Sequence, residues 1–300
     1  MSRRISLVLG SGGARGLAHI GAIQALEAHD YEIASISGSS MGALVGGIHA
    51  RGKLDVYTQW VRALTRNDIV RLLDVGWGRS GGLFKGQRII EVLRELVGDE
   101  DIEDLPIGFT AVATDINRKQ EVWMNKGPLF AAVRASIAIP MVFEPVRRGS
   151  ALLVDGGVLN PLPIAPTLTD DTALTVAVDV NGLDHRPVVS RVRPQAEPRK
   201  AEQDEEATGI KHAIAEFFEE WMPSGQPAEP EQSMFAIALE AMDSMQVTIS
   251  RLKASVYNPD ILVQIPRNTA HFFEYERAGE LIDLGYERMD KELSELEADH

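Results

Sequence analysis

Short apolar runs separated by helix-length segments organise the first fifty residues of the chain. Ile5–Leu9 and Ile33–Ser37 have the unbroken apolar character of strands that are buried on both faces. The segments that follow them, from about residue 15 to 28 and from about 41 to 50, are predicted to be helices. Because strands and helices alternate, the pattern predicts an α/β fold, a three-layer α/β/α arrangement with a mostly parallel central sheet.

The rest of the chain continues this alternation. Pro128–Ser136 is predicted to be helical, and Glu274–Leu296 is predicted to be a long charged helix. Gly76–Gly86 is glycine-rich and is predicted to be a loop, either a long surface connection or one wall of a site. The further predicted strands are Ile107–Thr114, Glu121–Met124, Ala151–Val154, Ala173–Val180 and Ile261–Ile265.

A segment at about residues 182–232 breaks the pattern. Two stretches rich in proline and charge are typical of a mobile linker, and between them ATGIKHAIAEFFEEWM carries apolar residues at helical spacing. Membrane-surface helices usually carry Lys and Arg on the polar face, whereas this one is mostly acidic. The pattern therefore favours packing against the domain or a second subunit over a lid or lipid-contacting flap. We predict a single domain over 1–300 with this segment as a mobile, amphipathic insertion, and a homodimer is left open.

Composition and charge narrow the classes of partner. The 300 residues carry a net charge of −14, so nucleic acid is not an expected partner because its phosphates would be repelled. The same charge disfavours docking on anionic lipid but leaves a local apolar contact with a membrane open. No cysteine is present, which excludes disulfides and thiol catalysis. Without a signal peptide or an apolar run of about 20 residues, the expected location is the cytoplasm, with peripheral membrane contact left open.

The stretch GSSMG at residues 38–42 fits the pattern G-x-S-x-G. That pattern marks a sharp strand-to-helix turn which can hold a nucleophilic serine exposed, here Ser40. Small residues at the start of the following helix would let it approach the preceding strand closely. The alternative is a glycine-rich turn without chemistry, since the chain has 26 glycines.

A second glycine-rich stretch, GSGGARG at residues 10–16, follows the first predicted strand. Its backbone N–H groups can form a concavity that holds either an oxyanion or a phosphate. A dinucleotide fingerprint would need glycine at Arg15 and an acidic residue at Ser37, and a P-loop would need a Gly-Lys-Ser/Thr sequence. Nucleotide binding is therefore disfavoured.

A nucleophilic serine needs a base. His271 is the plausible histidine, although its surroundings carry no motif, because His185 and His212 lie in the predicted linker region and His300 is the last residue. His19 lies on the first helix and is predicted to be structural. The other candidate is Asp155 of LLVDGGVLNPLP, which ends a predicted strand where parallel sheets build their sites, although aspartate is also common in turns before glycine.

The three motifs GSGGARG, GSSMG and DGG, in this order, resemble those of the patatin-like phospholipase family, and the neighbouring VRASIAIPMVFEPV and NPLPI resemble its bacterial branch. The resemblance implies a patatin-like fold and a lipid acyl hydrolase. It implies a catalytic dyad in which Ser40 attacks the ester and Asp155 acts as base, with no histidine, metal or cofactor. The implied oxyanion hole is the loop of Gly12, Gly13, Ala14 and Arg15, in which the first three give N–H donors and Arg15 helps to order the loop.

Two other functions share parts of this pattern. A soluble serine esterase or thioesterase would use the same residues, and a regulatory protein could keep the fold without turnover. An aspartate with an ordinary pKa near 4 is a poor base for serine at neutral pH. We therefore predict that Asp155 lies in a setting that raises its pKa.

Overall fold

The computed structural model describes residues 3–74, 82–182 and 234–298. The chain divides into two compact units, Met1–Asp184 together with Met245–His300, and His185–Ser244. The strands described below all belong to the first unit. The described residues of the second unit, 234–244, form the first part of helix α7. The linkers and the amphipathic helix predicted at about 182–232 lie outside the described residues, so the predicted domain organisation stays a prediction.

Strands and helices alternate in the described chain. The strands are β1 (Arg3–Leu9), β2 (Tyr31–Ser39), β3 (Gly82–Phe84), β4 (Gly108–Asp115), β5 (Gln120–Met124), β6 (Met141–Phe143), β7 (Val146–Arg148), β8 (Ala151–Asp155), β9 (Leu174–Gly182) and β10 (Ile261–Pro266). The helices are α1 (Ala18–Ala28), α2 (Met41–Ala50), α3 (Leu54–Ala63), α4 (Arg66–Leu72), α5 (Gln87–Val97), α6 (Leu129–Ser136), α7 (Met234–Tyr257) and α8 (Ala278–Ala298).

Eight of the described strands form one mostly parallel sheet. Its order is β10-β9-β1-β2-β4-β8-β7, and β5 also pairs with β4. The five strands from β10 to β4 run parallel to one another, whereas β5, β7 and β8 join in antiparallel pairs. The short strands β3 and β6 pair separately. The predicted mixed α/β fold with a mostly parallel central sheet is confirmed.

Helices cover both faces of the sheet. Ile5, Leu7 and Leu9 of β1 belong to the main core, which also takes buried side chains of α1, α2 and α8. Val8 points to the opposite face, where it packs in a second cluster with Leu162 and residues of α7. This alternation places apolar side chains on both faces of the same strand, as an unbroken apolar run predicts.

The direction of β8 corrects one step of the prediction. Asp155 was expected at the carboxyl end of a parallel strand, but β8 runs antiparallel to β4 and pairs Asp155 with Ala113. The adjacent residue of β4, Val112, pairs with Ser39 of β2. The end of β8 therefore reaches the carboxyl edge of the parallel strands from the opposite direction, and Asp155 still arrives beside the elbow.

Several predicted boundaries shift. The first predicted helix begins as a 3₁₀ turn at Gly13–Leu17 before α1, and the last begins at Ala278 after a 3₁₀ turn at Tyr275–Arg277. The described end of the predicted loop 76–86 contains β3. Helices α3, α4, α5 and α7 were not predicted. In the described part of the chain, no helix has the length and apolar character that crossing a membrane requires.

Candidate active site

Ser40 occupies a strained turn between β2 and α2. Its backbone has φ 55° and ψ −122°, a conformation that L-residues rarely adopt. The flanking glycines permit the turn, because a Cβ at Gly38 would lie 2.4 Å from the Gly42 carbonyl oxygen and a Cβ at Gly42 would lie 2.1 Å from that of Leu9. The two glycines of the G-x-S-x-G pattern are therefore required, because backbone atoms approach each other closely at this elbow.

Ser136 supports the elbow from α6. Its hydroxyl donates to the Val112 carbonyl oxygen at 2.6 Å and accepts the Ser40 N–H at 2.9 Å. This bond satisfies a buried backbone donor at the strained residue. Ser136 lies in the VRASIAIP stretch, and this supporting role was not predicted from the motif.

Asp155 accepts a hydrogen bond from the hydroxyl of Ser40. The distance from Ser40 Oγ to Asp155 Oδ2 is 2.5 Å, and only 2% and 1% of the two residues is exposed. The other carboxylate oxygen, Oδ1, accepts the N–H of Gly157 at 2.7 Å, which fixes the orientation of the side chain. The structure thus brings together the two residues predicted as nucleophile and base, and their catalytic roles stay predictions.

Burial changes the protonation of Asp155. Removal of the carboxylate from water raises its pKa to about 7, and the hydrogen bonds from Ser40 and Gly157 partly oppose this rise. A carboxylate with this pKa can take up a proton near neutral pH, as a general base must.

The glycine-rich loop supplies fewer free donors than predicted. No acceptor among the described residues binds the N–H of Gly12 or Gly13, but the N–H of Ala14 donates to the Phe272 carbonyl oxygen at 2.8 Å. Ala14 is fully buried, so its N–H needs a partner, and Phe272 supplies it. The prediction that Ala14 offers a free oxyanion donor is therefore corrected, and Gly12 and Gly13 remain.

The side chain of Arg15 fastens this loop to β9. Its Nε donates to the Val180 carbonyl oxygen at 3.1 Å, and its Nη2 donates to Asn181 Oδ1 at 3.0 Å. Asn181 Nδ2 in turn donates to the Ser11 carbonyl oxygen at 2.8 Å. The guanidinium and the amide therefore hold both ends of the loop, and Asn181 is a supporting residue that sequence reasoning missed.

A second buried carboxylate, Asp179, lies beside this network. Burial raises its pKa to about 6, while the N–H of Asn181 and the charge of Arg15 lower it. In the described structure no hydrogen bond joins Asp179 to Ser40, so Asp155 is the carboxylate placed to act on the serine.

The histidines in the described part of the chain do not pair with Ser40 or Asp155. His19 Nε2 donates to the Gly10 carbonyl oxygen at 2.7 Å, and burial lowers its pKa to about 4, so it is neutral. His271 is exposed, and His185, His212 and His300 lie outside the described residues. Among the described residues, no histidine is hydrogen-bonded to Ser40 or Asp155 and no group of acidic or histidine side chains is arranged to hold a metal ion.

Fold and site together define an α/β protein with a serine elbow and a paired aspartate at the carboxyl edge of its parallel strands. The family model of the patatin-like phospholipases matches residues 7–168, more than half of the chain. The chain belongs to this family, and the resemblance predicted from its motifs is confirmed. Family membership supports a lipid hydrolase in general terms.

Curated relatives extend the similarity over nearly the whole chain. NTE family proteins of Mycobacterium bovis and Mycobacterium tuberculosis are 37% identical over 337 residues, which cover 99% of this chain and 93% of each relative. The protein named lysophospholipase nte1 of Emericella nidulans is 33% identical over 187 residues, 61% of this chain and 12% of that protein.

A search of solved structures finds VipD of Legionella pneumophila. It is 14% identical, with a TM-score of 0.44, and the match covers 98% of this chain and 67% of that chain.

Proposed function

We propose that the chain is a lipid acyl hydrolase of the phospholipase A or lysophospholipase type. It cleaves fatty-acyl esters of phospholipids, lysophospholipids or neutral lipids through an acyl-serine intermediate. The observation that carries the proposal is the 2.5 Å contact between Ser40 Oγ and Asp155 Oδ2 at a strained elbow. The similarity to a protein named as a lysophospholipase supports the substrate class.

In the first half of the reaction, Ser40 Oγ attacks the ester carbonyl carbon while its proton passes to Asp155 Oδ2. The carbonyl oxygen becomes an oxyanion, which the N–H groups of Gly12 and Gly13 stabilise. When the tetrahedral intermediate collapses, Asp155 returns the proton to the departing alcohol. The acyl group remains esterified to Ser40.

In the second half, water replaces the alcohol. Asp155, again unprotonated, takes a proton from the water as its oxygen attacks the acyl carbon. The second intermediate collapses to the free fatty acid, and the proton passes from Asp155 to Ser40 Oγ. Each residue ends in its starting state, so the dyad needs no histidine.

The activity should depend on the unprotonated form of Asp155. Because burial raises its pKa to about 7, we expect kcat/KM to rise as pH increases through about 7 and to level off above it. An ordinary carboxylate would give a rise near pH 4.

Hydrolysis of a short and a long p-nitrophenyl ester tests the proposal. Ser40→Ala and Asp155→Ala should each lower kcat by about 1000-fold or more. Ser39→Ala is the matched control, because it removes the adjacent buried hydroxyl, which has no hydrogen-bond partner among the described residues. The Ser39→Ala variant should retain the activity of the wild type. A preference for the long ester and a gain in rate above the substrate's micellar threshold would support a lipid substrate.

Other outcomes would assign a different function. Activity confined to short, dispersed esters would point to a soluble esterase or thioesterase. Absence of turnover and of an acyl-enzyme with every ester would point to a regulatory protein on the same fold. If Asp155→Ala keeps its rate while His271→Ala loses it, the dyad is wrong.

A further inference from the structure

Gln246 is a buried polar residue beside the proposed dyad. It lies on α7, a helix that the sequence did not predict, and only 3% of it is exposed. The hydroxyl of Ser11, in the glycine-rich loop, donates to Gln246 Oε1 at 3.0 Å. This bond directs the carbonyl end of the amide toward the loop and leaves the Nε2 end for the opposite side.

The Nε2 end lies at the Asp155 turn. A Cβ placed on Gly157 would lie 2.8 Å from Gln246 Nε2, 2.7 Å from Ser11 Oγ and 3.0 Å from Asp155 Oδ1. Three polar atoms from three distant parts of the chain thus surround one small space that only glycine leaves open. The Oδ1 oxygen in this group is the one that does not contact Ser40.

We propose that Gln246 is a positioning residue, which ties the glycine-rich loop to the Asp155 turn and so fixes the carboxylate against Ser40. Its Oε1 holds Ser11, and its Nε2 presents an N–H donor to the side of the turn on which Oδ1 lies. The residue touches no reacting atom. The inference rests on the proposed function, since it concerns the same dyad.

The chemistry of the amide suits this location. A glutamine places an uncharged amide on this side of the Asp155 turn, whereas a glutamate there would place a second carboxylate in the same space and disfavour ionisation of Asp155. The other titratable groups around the site are Tyr275, whose pKa is raised by burial and by Asp155, and the Arg15 and Asp179 pair beyond Ser11. A substitution at residue 246 alone leaves these three side chains in the sequence unchanged.

The experiment compares Gln246→Ala, Gln246→Glu and Ser11→Ala in the full-length chain with a p-nitrophenyl ester. We expect Gln246→Ala to lower kcat about 10-fold with little change in KM, because the dyad is misaligned rather than the binding surface lost. Gln246→Glu should move the midpoint of the pH dependence of kcat/KM upward by about one unit. Met245→Ala, a change at an exposed neighbour on the same helix, should match the wild type.

A double-mutant cycle makes the test independent of any one variant. Since Ser11 and Gln246 act through one hydrogen bond, the double alanine variant should be no more than about 2-fold slower than the slower single variant. If the rate losses of the two single variants multiply in the double variant, Gln246 acts through packing and the proposal is overturned. A rate loss in Gln246→Glu without a shift in the pH midpoint would lead to the same conclusion. A wild-type chain that hydrolyses no ester would instead refute the proposed function, so the two failures are distinguishable.

Discussion

At the residue scale, Ser40 combines strain with chemistry. A conformation such as φ 55°, ψ −122° costs on the order of 1–3 kcal/mol and persists only where the surroundings enforce it. Here the close approach of Gly38 and Gly42 and the hydrogen bond to Ser136 enforce it. The serine hydroxyl is thereby directed at Asp155 before any substrate is bound.

The short motifs allowed Ser40, Asp155 and the glycine-rich loop to be selected from the sequence, because each carries a local glycine signature. The partners that hold them in place could not be selected in this way. Ser136, Asn181 and Gln246 are far from the motifs along the chain, and their types are common in turns, strands and helices. Their roles follow from tertiary contacts that a local pattern does not encode.

Asp155 should reduce the stability of the folded protein at neutral and alkaline pH. Its pKa is raised in the folded state, so the stabilisation from holding the proton is complete below about pH 4 and is lost as pH rises through about 7. Asp155→Asn removes the free-energy cost of ionising a buried carboxyl group. We expect its free energy of unfolding to exceed that of the wild type by on the order of 1–3 kcal/mol at pH 8, and by less at pH 5.

Chemical denaturation of both proteins at the two pH values measures this difference. Ser40→Ala serves as the control because it keeps the buried carboxylate. Since it removes one hydrogen bond that lowers the pKa of Asp155, its stability should depend on pH at least as steeply as that of the wild type. An equal difference between Asp155→Asn and the wild type at pH 5 and pH 8 would show that the pKa of Asp155 is not raised.

At the element scale, the prediction found the longer strands and the helices α1, α2, α6 and α8, and it missed the other four described helices and the three-residue strands β3, β6 and β7. Helix α5 carries apolar residues at helical spacing, a signal that could have found it, whereas helix α7 follows a linker-like segment; neither was predicted. The direction of β8 was also beyond the sequence, because a strand of five residues with a buried end looks the same in either orientation. The antiparallel pairing with β4 sets the direction of β8.

The contact between α1 and α8 depends on glycine. A Cβ at Gly285 would lie 1.9 Å from the Ala18 carbonyl oxygen, so Gly285→Ala must push the two helices apart and should destabilise the fold by about 2–4 kcal/mol. Gly279 lies in the same helix, but among the described residues a Cβ there would meet only Arg62 Nη1, at 3.4 Å. Gly279→Ala should therefore be neutral or stabilising by up to about 1 kcal/mol, because alanine favours helix.

Thermal unfolding of the two variants compares a close helix contact with an open position in one helix. Gly285→Ala should lower Tm by several degrees, whereas Gly279→Ala should leave it unchanged or raise it. Equal losses in both would show that α1 and α8 do not approach as closely as described.

At the scale of the whole molecule, the site is assembled from segments that are remote in sequence. The glycine-rich loop follows β1, the elbow follows β2, Asp155 ends β8, Asn181 lies near the end of β9 and Gln246 lies on α7. The fold class was predictable because alternation of strands and helices is a property of the whole sequence. The antiparallel entry of β8 and the covering helix α7 complete the site, and both emerge only when the sheet is assembled.

The whole site serves one proposed event, the attack of Ser40 on an ester after activation by Asp155. The most direct measurement is covalent labelling by a fluorophosphonate, with the modified residue located by mass spectrometry of the digested protein. We expect a single adduct on Ser40 that is absent in Ser40→Ala, strongly slowed in Asp155→Ala and unchanged in Ser39→Ala. An adduct on another residue, or labelling of Ser40 at the wild-type rate in Asp155→Ala, would contradict it.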